Sequence, residues 1–192
     1  MIEEFFRTIL LGLMLIFIII KVNLTNKYAG KTSNVNNYPP IINFFQSINA
    51  FVLLIPFINV TGILDDFTMN LYEEVRLVGI FLFIIIIGVM IWQMNELGNN
   101  ISATHNQRFL VTSGPYNYIR HPLYSLFMLM AISMWMIAAN WIFMIAIILT
   151  IIAGNIRANY EERLLTEEYG KEYETYRKST GKFIPYFRKF YN

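Results

Sequence analysis

Long apolar runs limit the folds open to this sequence more than any other feature. A helix needs about 20 apolar residues to cross the hydrocarbon core of a bilayer, which is about 30 Å thick. Runs near that length recur along the 192-residue chain, in which 56% of the residues are hydrophobic and 15% are charged. They lie at about residues 5–22, 41–63, 75–95, 122–139 and 141–156. We therefore predict an all-α integral membrane protein with about five transmembrane helices.

The first and last runs each carry a further prediction. Glu3 and Glu4 precede the first run in place of a basic segment, and no small-residue cleavage site follows it, so we interpret it as a retained membrane helix rather than a signal peptide. Only Asn140 and Trp141 separate the fourth run from the fifth, which predicts a tight antiparallel hairpin. Both runs of this hairpin are short for complete crossings.

Composition excludes several classes of function. The formal net charge of +2 is too small to indicate a nucleic-acid partner. The absence of cysteine excludes disulfides, thiolate metal sites and a cysteine nucleophile. The sequence has two histidines, His105 and His121, and no third to complete a histidine-based site, so we expect no metal.

The distribution of lysine and arginine predicts the orientation in the membrane. Basic residues are concentrated in the loop after the first run, in the loop 96–121 and in the tail 157–192. The positive-inside rule places these segments in the cytoplasm and the N-terminus outside. Because the hairpin returns the chain to the side from which it came, the loop and the tail should share a face.

The sequence "SGPYNYIRHPLYS" places an arginine and a histidine at the start of the fourth run. Proline is favoured at the first helical position, so Pro122 should begin a membrane helix whose free amides and dipole attract anions. Arg120 and His121 would add positive charge, and the corner could receive a carboxylate or a phosphate. The alternative is membrane anchoring by positive charge, with a belt formed by three tyrosines. These are Tyr116, Tyr118 and Tyr124.

A second group of ionisable residues follows the fifth run, in "NIRANYEERLLTEEYG". On a continuing helix Arg157 and Glu161 share a face, because they are four residues apart. Ionisable residues that emerge from a membrane helix are functional candidates, although a surface ion pair explains them equally well. The aromatic and basic tail after Gly170 is typical of a segment on anionic headgroups; capping of a site is the alternative.

The order of these segments resembles the isoprenylcysteine carboxyl methyltransferase family, in particular its small prokaryotic members with five membrane helices. The resemblance covers about residues 95–187: "RFLVTSGPYNYIRHPLY", then the hairpin, then "IRANYEERLLTEEYGKEYETYRKSTGKFIP". It implies transfer of a methyl group from S-adenosylmethionine to the carboxylate of a lipid-like, prenylated substrate that enters from the bilayer. Residues 1–95 would supply the first three helices and residues 96–192 the catalytic region, in one structural domain with its active site on the cytoplasmic face.

The resemblance also implies roles for individual residues. Arg157 would bind the substrate carboxylate, Glu161 would contact the cofactor, and these two would be the catalytic residues. The remaining cofactor-binding residues would be Arg108, Phe109, Leu110, Val111, Tyr116, His121, Pro122, Leu123 and Tyr124. The charges agree with these roles, since the cofactor carries a carboxylate together with a cationic amino group and sulfonium.

Three alternatives remain open on the sequence. A phospholipid amine methyltransferase would use the same cofactor but would need a base to give a neutral amine. A membrane ene-reductase of sterol metabolism would use NADPH and should show more basic residues for its 2′-phosphate. An accessory membrane protein without activity explains the hydropathy, but leaves the two polar motifs to chance. The motifs of Rossmann folds, P-loops, α/β-hydrolases and zinc proteases do not occur in the sequence.

Overall fold

The computed structural model describes residues 1–29, 54–102 and 110–186, together with positions 40, 47 and 52. These residues form helices and turns with no strand, and they include two isolated bridges, Thr68 with Asn140 and Ile119 with Gly181. The helices are α1 (Ile2–Ala29), α2 (Ile55–Asn59), α3 (Glu73–Ser102), α4 (Pro122–Ala138), α5 (Trp141–Tyr169) and α6 (Lys171–Ser179). Short 3₁₀ turns lie at Asp65–Phe67 and Gly114–Asn117. The prediction of an all-helical architecture is confirmed for this part of the chain.

Three of the helices are long and apolar enough to cross a membrane: Ile2–Lys27, Glu73–Gly98 and Trp141–Tyr169. They correspond to the first, third and fifth predicted runs, and α4 is a shorter apolar helix of 17 residues. Most of the second predicted span, 41–63, lies outside the described residues. Its described part contains α2, which has 5 residues and ends at a turn.

The length of α5 differs from the prediction. The helix has 29 residues and does not end at residue 156, so its length of about 44 Å exceeds that of a short span. Hydropathy alone missed the continuation, because residues after 156 are polar yet still helical. Arg157 and Glu161 stabilise this part of the helix as an i,i+4 ion pair, with 3.1 Å between Nε and Oε1.

The hairpin between α4 and α5 has the tight geometry that the sequence predicts. Ala139 adopts a left-handed conformation with φ of 48°, which reverses the chain immediately after α4. Asn140 is the N-cap of α5, because its side-chain oxygen accepts the Ile142 amide at 3.0 Å. Its side-chain nitrogen donates to the Leu64 carbonyl at 2.8 Å, which ties the hairpin to the segment before α3.

The core lies between α1, α3, α4 and α5. Phe17 of α1 packs edge-on against Phe83 of α3, with ring centroids 6.5 Å apart, and both are fully buried. Helices α3 and α4 approach closely at Gly79, where an added Cβ would lie 2.8 Å from Met136 Cβ and 3.1 Å from the Ser133 carbonyl oxygen. This packing fixes the second half of α4 against the start of α3.

A buried arginine, Arg76, connects three helices at the end of the bundle that lies far from residue 121. Arg76 is 2% exposed, donates from both terminal nitrogens to Glu3 of α1, and donates from Nε to the Ile137 carbonyl at 2.9 Å. Its guanidinium also lies 4.0 Å from the centroid of the Phe6 ring. These contacts join α1, α3 and the end of α4.

Candidate functional site

The loop before α4, the second half of α5 and the tail after α6 meet in one polar cluster. We define this cluster by its charged and aromatic members: Arg120, His121, Tyr124, Arg157, Glu161 and Glu162. The proline that starts α4 and the extension of α5 beyond the apolar run place these side chains at one level. The expectation that the loop and the tail share a face therefore agrees with the structure.

Glu162 is the carboxylate that joins the three segments. Its Oε1 accepts Nε–H of Arg120 at 3.0 Å and lies 3.2 Å from Nε2 of His121. Its Oε2 lies 3.8 Å from Nε of Arg177, on α6. The carboxylate is 11% exposed and Arg120 is 10% exposed, so this ion pair is largely removed from water. Such a pair is costly to break, because either partner alone would leave a buried charge.

Arg120 does not offer its charge to an external anion in this structure. Besides Glu162, it donates from Nη1 to the carbonyls of Arg177, at 2.9 Å, and Thr180. Backbone amides at the same corner are also engaged: Arg120 N–H donates to the Gly181 carbonyl at 2.8 Å, and His121 N–H donates to the Lys182 carbonyl at 3.1 Å. The sequence left two roles open for this corner, an anion site and an anchor in the membrane; in the structure these donors bind carbonyl groups of the tail.

Glu161 faces α4 and has different partners from Glu162. Its Oε1 accepts the Tyr124 hydroxyl at 2.6 Å and Nε–H of Arg157 at 3.1 Å. Its Oε2 lies 3.8 Å from Nδ1 of His121. The Arg157 guanidinium lies 5.8 Å from the centroid of the Tyr124 ring, and this ring stacks on His121 at 5.5 Å. The Glu161 side chain is 26% exposed, so a ligand can reach this carboxylate more easily than Glu162.

Tyr116 is held from two sides. Gln93 of α3 donates from Nε2 to the Tyr116 hydroxyl at 2.7 Å, and the Tyr176 hydroxyl of α6 donates to the Tyr116 carbonyl at 2.7 Å. Burial raises the pKa of Tyr116 to about 12, so the phenol is neutral at physiological pH. Gln93 is fully buried, and its Oε1 has no hydrogen-bond partner among the residues that the structure describes. This acceptor is therefore available to a donor that enters beside Tyr116.

A cavity of about 490 Å³ lies between the loop and α6, next to the polar cluster. Its volume is within the range of small-molecule sites. Tyr176 and Thr180 connect it to the cluster. The Tyr176 carbonyl accepts the Thr180 hydroxyl, and the Thr180 carbonyl accepts from Arg120. The residues that line it are Leu110, Thr112, Asn117, Glu172, Thr175, Tyr176, Ser179 and Thr180.

The tail continues past α6 across the start of α4 and the middle of α5. Ser125 donates to the Phe183 carbonyl at 2.7 Å, and the Phe183 ring lies 6.0 Å from His121. Lys182 donates to Asn155 and Asn159, at 2.7 and 2.6 Å. Both of these acceptors are on α5. Burial of the Lys182 side chain lowers its pKa. The tail thus covers the polar cluster rather than leaving it open.

The structure brings together only some of the residues that the resemblance named. His121, Tyr124, Arg157 and Glu161 are in the polar cluster, and Tyr116 adjoins it through Tyr176. Leu110 lines the cavity, whereas Leu123 packs against the hydrophobic core and Pro122 is buried as the first residue of α4. Val111 is partly buried and has no described contact with the cluster. Arg108 and Phe109 lie outside the described residues.

Sequence reasoning gave no role to two residues that the structure places at the site, Glu162 and Gln93. A signal for Gln93 was present, since it is an uncharged polar residue near the end of a long apolar run. For Glu162 the sequence offered only its position beside Glu161. Its hydrogen-bond partners Arg120 and His121 are 42 and 41 residues earlier in the chain, and spacing along one helix cannot indicate them.

Comparison with known proteins yields one family and two curated relatives. The model of the phospholipid methyltransferase family matches residues 75–172. Two probable protein-S-isoprenylcysteine O-methyltransferases, from Oryza sativa subsp. indica and subsp. japonica, are each 30% identical to the chain over 123 residues. The aligned region is 60% of this chain and 63% of each relative. The chain therefore spans less than two thirds of the length of these relatives.

Proposed function

The chain belongs to the phospholipid methyltransferase family, and from this premise we propose that it is a membrane-embedded, S-adenosylmethionine-dependent methyltransferase. We propose the carboxylate of a lipid-like, isoprenylcysteine-type substrate as the methyl acceptor. The assignment of the two relatives as probable protein-S-isoprenylcysteine O-methyltransferases supports this acceptor. So does one observation above all: Arg157 and the accessible carboxylate of Glu161 lie side by side where a membrane helix begins.

The residues of the site fit the proposed cofactor. When bound, S-adenosylmethionine supplies a methyl group on a cationic sulfur, together with an amino group and a carboxylate. Glu161 is a carboxylate within reach of a ligand, and it would hold a cationic group of the cofactor. The unpaired Oε1 of Gln93 would accept a further donor beside Tyr116. The cavity between the loop and α6 has the volume for a nucleoside, which we assign to it.

The chemistry asked of the protein is mainly positioning. A carboxylate is already ionised at neutral pH, so it would accept the methyl group without a general base, with S-adenosylhomocysteine as the leaving group. Arg157 would orient the acceptor, because a guanidinium presents paired donors to the two oxygens of a carboxylate. Holding the two reactants in line supplies a large part of the rate enhancement. We propose that this occurs on the cytoplasmic face, within the region 96–192.

An amine acceptor, as in a phospholipid N-methyltransferase, is the second candidate. It would need a base that takes a proton from the amine. His121 is the nearest imidazole, but it is 6% exposed and its Nε2 faces Glu162. The geometry therefore favours the carboxylate acceptor over the amine.

Methyl transfer in liposomes tests the proposal. The protein is incubated with methyl-labelled S-adenosylmethionine and either N-acetyl-S-farnesylcysteine or phosphatidylethanolamine. We expect base-labile label on the farnesylcysteine, the signature of a methyl ester. Base-stable label on phosphatidylethanolamine would replace the carboxylate acceptor by the amine. Failure to bind the cofactor in equilibrium dialysis would refute the proposed activity altogether.

Two variants of α5 test the role of Arg157 in the same assay. Arg157→Ala should reduce turnover by about 10²-fold while cofactor affinity is retained, because the lost donors orient the acceptor. Arg163→Ala is the matched control: Arg163 is on the same helix, is exposed, and also lies over a tyrosine ring, 5.2 Å from the Tyr160 centroid. Equal losses in both variants would contradict the assignment of Arg157.

A further inference from the structure

A lysine of α1 lies beside the proposed acceptor site. Lys21 is half-buried, and its Nζ lies 5.4 Å from the centroid of the Phe127 ring, on α4. Tyr124 lies one helical turn earlier on α4, and the Arg157 guanidinium lies 5.8 Å from the centroid of the Tyr124 ring. Residues three apart on a helix share a face. Lys21 and Arg157 therefore approach the same face of α4, one from α1 and the other from α5.

The packing beneath Lys21 fixes its position. Phe17, four residues earlier on α1, is fully buried and packs edge-on against Phe127, with ring centroids 6.4 Å apart. Residues four apart on α1 face the same way, so the contact that holds Phe17 also directs Lys21 towards α4. The approach of the lysine to Phe127 is thus built into the α1–α4 interface.

Two cations, Lys21 and Arg157, approach this face of α4. Repulsion between like charges opposes such an approach. Within the described ranges 1–29, 54–102 and 110–186, no carboxylate forms an ion pair with Lys21. Glu161 forms its ion pair with Arg157 and not with Lys21. An anion placed between the two cations would relieve the repulsion.

Resting on the proposed function, we propose that Lys21 is a specificity-determining residue that binds the acceptor carboxylate together with Arg157. The substrate class is then an amphiphile whose reacting group is a carboxylate, in preference to a neutral or zwitterionic headgroup. Helix α1 is outside the residues 75–172 that the family model matches, so this contribution comes from a part of the chain that the family match does not cover. A charged residue within an apolar membrane helix is costly, which argues for a role beyond packing.

Binding measurements in detergent test this inference separately from catalysis. The ligands are N-acetyl-S-farnesylcysteine and its carboxamide, which differ in the charge of the group that Lys21 would contact. The wild type should bind the carboxylate more tightly. Lys21→Gln should weaken carboxylate binding about tenfold, the loss expected for one charge-assisted contact, and leave carboxamide binding unchanged. Lys21→Arg should retain most of the preference.

Lys27→Gln is the matched control, because it removes the same charge from the same end of α1 at an exposed position. Binding of S-adenosylhomocysteine by each variant verifies the fold. Equal effects of Lys21→Gln and Lys27→Gln, or equal weakening of both ligands by Lys21→Gln, would overturn the inference. A loss of phosphatidylethanolamine binding instead would assign Lys21 to a phosphate and also overturn it.

The two proposals can fail independently. Carboxylate binding that depends on Lys21, without methyl transfer from S-adenosylmethionine, would refute the proposed activity and leave the anion site standing. Methyl transfer to N-acetyl-S-farnesylcysteine with the same KM in wild type and Lys21→Gln would establish the activity and refute the role of Lys21.

Discussion

Substitution of glutamine for two adjacent carboxylates on α5 should affect two different properties, the stability of the fold and the binding of the cofactor. Glu161 and Glu162 differ in partners: the first contacts Tyr124 and Arg157, and the second contacts Arg120 and His121. Replacing each by glutamine keeps the shape and removes the charge. We expect Glu162→Gln to destabilise the fold, and Glu161→Gln to weaken cofactor binding while the fold stays stable.

The magnitude for Glu162→Gln follows from burial. Both members of the pair with Arg120 are about one-tenth exposed, so the substitution would leave a largely buried guanidinium without its counter-charge. Removal of one partner from a buried pair costs about 3–5 kcal/mol. Because glutamine still accepts a hydrogen bond and Arg120 keeps two carbonyl acceptors, we expect the lower end, about 3 kcal/mol. For a chain of this size that lowers Tm by about 6–12 °C.

Glu161→Gln should change Tm much less. Its carboxylate is 26% exposed and its partner Arg157 is 22% exposed, so water replaces part of the lost interaction. An ion pair of this kind contributes about 0.3–0.5 kcal/mol, which corresponds to a shift of about 1–2 °C. Cofactor affinity should fall about tenfold or more, because a charge-assisted contact to the cofactor is lost.

Two measurements on each variant test this reasoning. Tm is followed by tryptophan fluorescence in detergent, and cofactor affinity by equilibrium dialysis with labelled S-adenosylmethionine at a temperature below both transitions. Limited trypsin digestion adds a local readout, since release of the tail would free Lys182, whose carbonyl accepts the His121 amide and whose side chain binds Asn155 and Asn159. A stable Glu162→Gln variant with an unchanged digestion pattern would refute the structural role of Glu162. A Glu161→Gln variant with wild-type cofactor affinity would refute the site assignment.

Three further substitutions test other parts of the structure. Gln93→Leu should lower cofactor affinity about threefold to tenfold in the dialysis assay, because it frees the hydroxyl of Tyr116 and removes the unpaired acceptor; a wild-type dissociation constant would contradict this. Arg76→Met should lower Tm by several degrees through loss of its contacts with Glu3 and the α4 carbonyl, with cofactor affinity retained; an unchanged Tm would show that the contacts of this buried arginine are dispensable. Gly79→Ala should cost about 1–3 kcal/mol, measured as a lower Tm, because its methyl group would press α3 away from α4; an equally stable variant would mean that the two helices separate freely.

Hydropathy predicted most of the helical architecture, for a physical reason. A membrane helix satisfies its backbone internally and presents apolar side chains to lipid, so the run of residues is itself the signal. The start of α4 could be located because Pro122 suits a first helical position. The end of α5 could not, because beyond residue 156 helical structure is maintained by polar pairs such as Arg157 with Glu161, which hydropathy does not detect.

The candidate site could be predicted as a set of segments but not as a set of contacts. The roles of Arg120 show why. Its charge at a helix start is consistent both with a receiver of external anions and with an anchor for the chain. The choice depends on whether a carboxylate and carbonyl oxygens approach from elsewhere, and these come from Glu162 and the tail after α6. Long-range placement of this kind is not encoded in the spacing of one motif.

The adjacency of Glu161 and Glu162 has a structural consequence for the proposed site. Successive residues on a helix point about 100° apart, so one turn of α5 can face two different elements. Glu161 faces α4 and the proposed reactants, whereas Glu162 faces the loop and the tail. His121 contacts both carboxylates, at 3.8 Å through Nδ1 and at 3.2 Å through Nε2. Displacement of the tail from Glu162 would therefore shift the His121 imidazole, which borders Glu161. The position of the tail and the position of the groups around Glu161 thus depend on the same turn of α5.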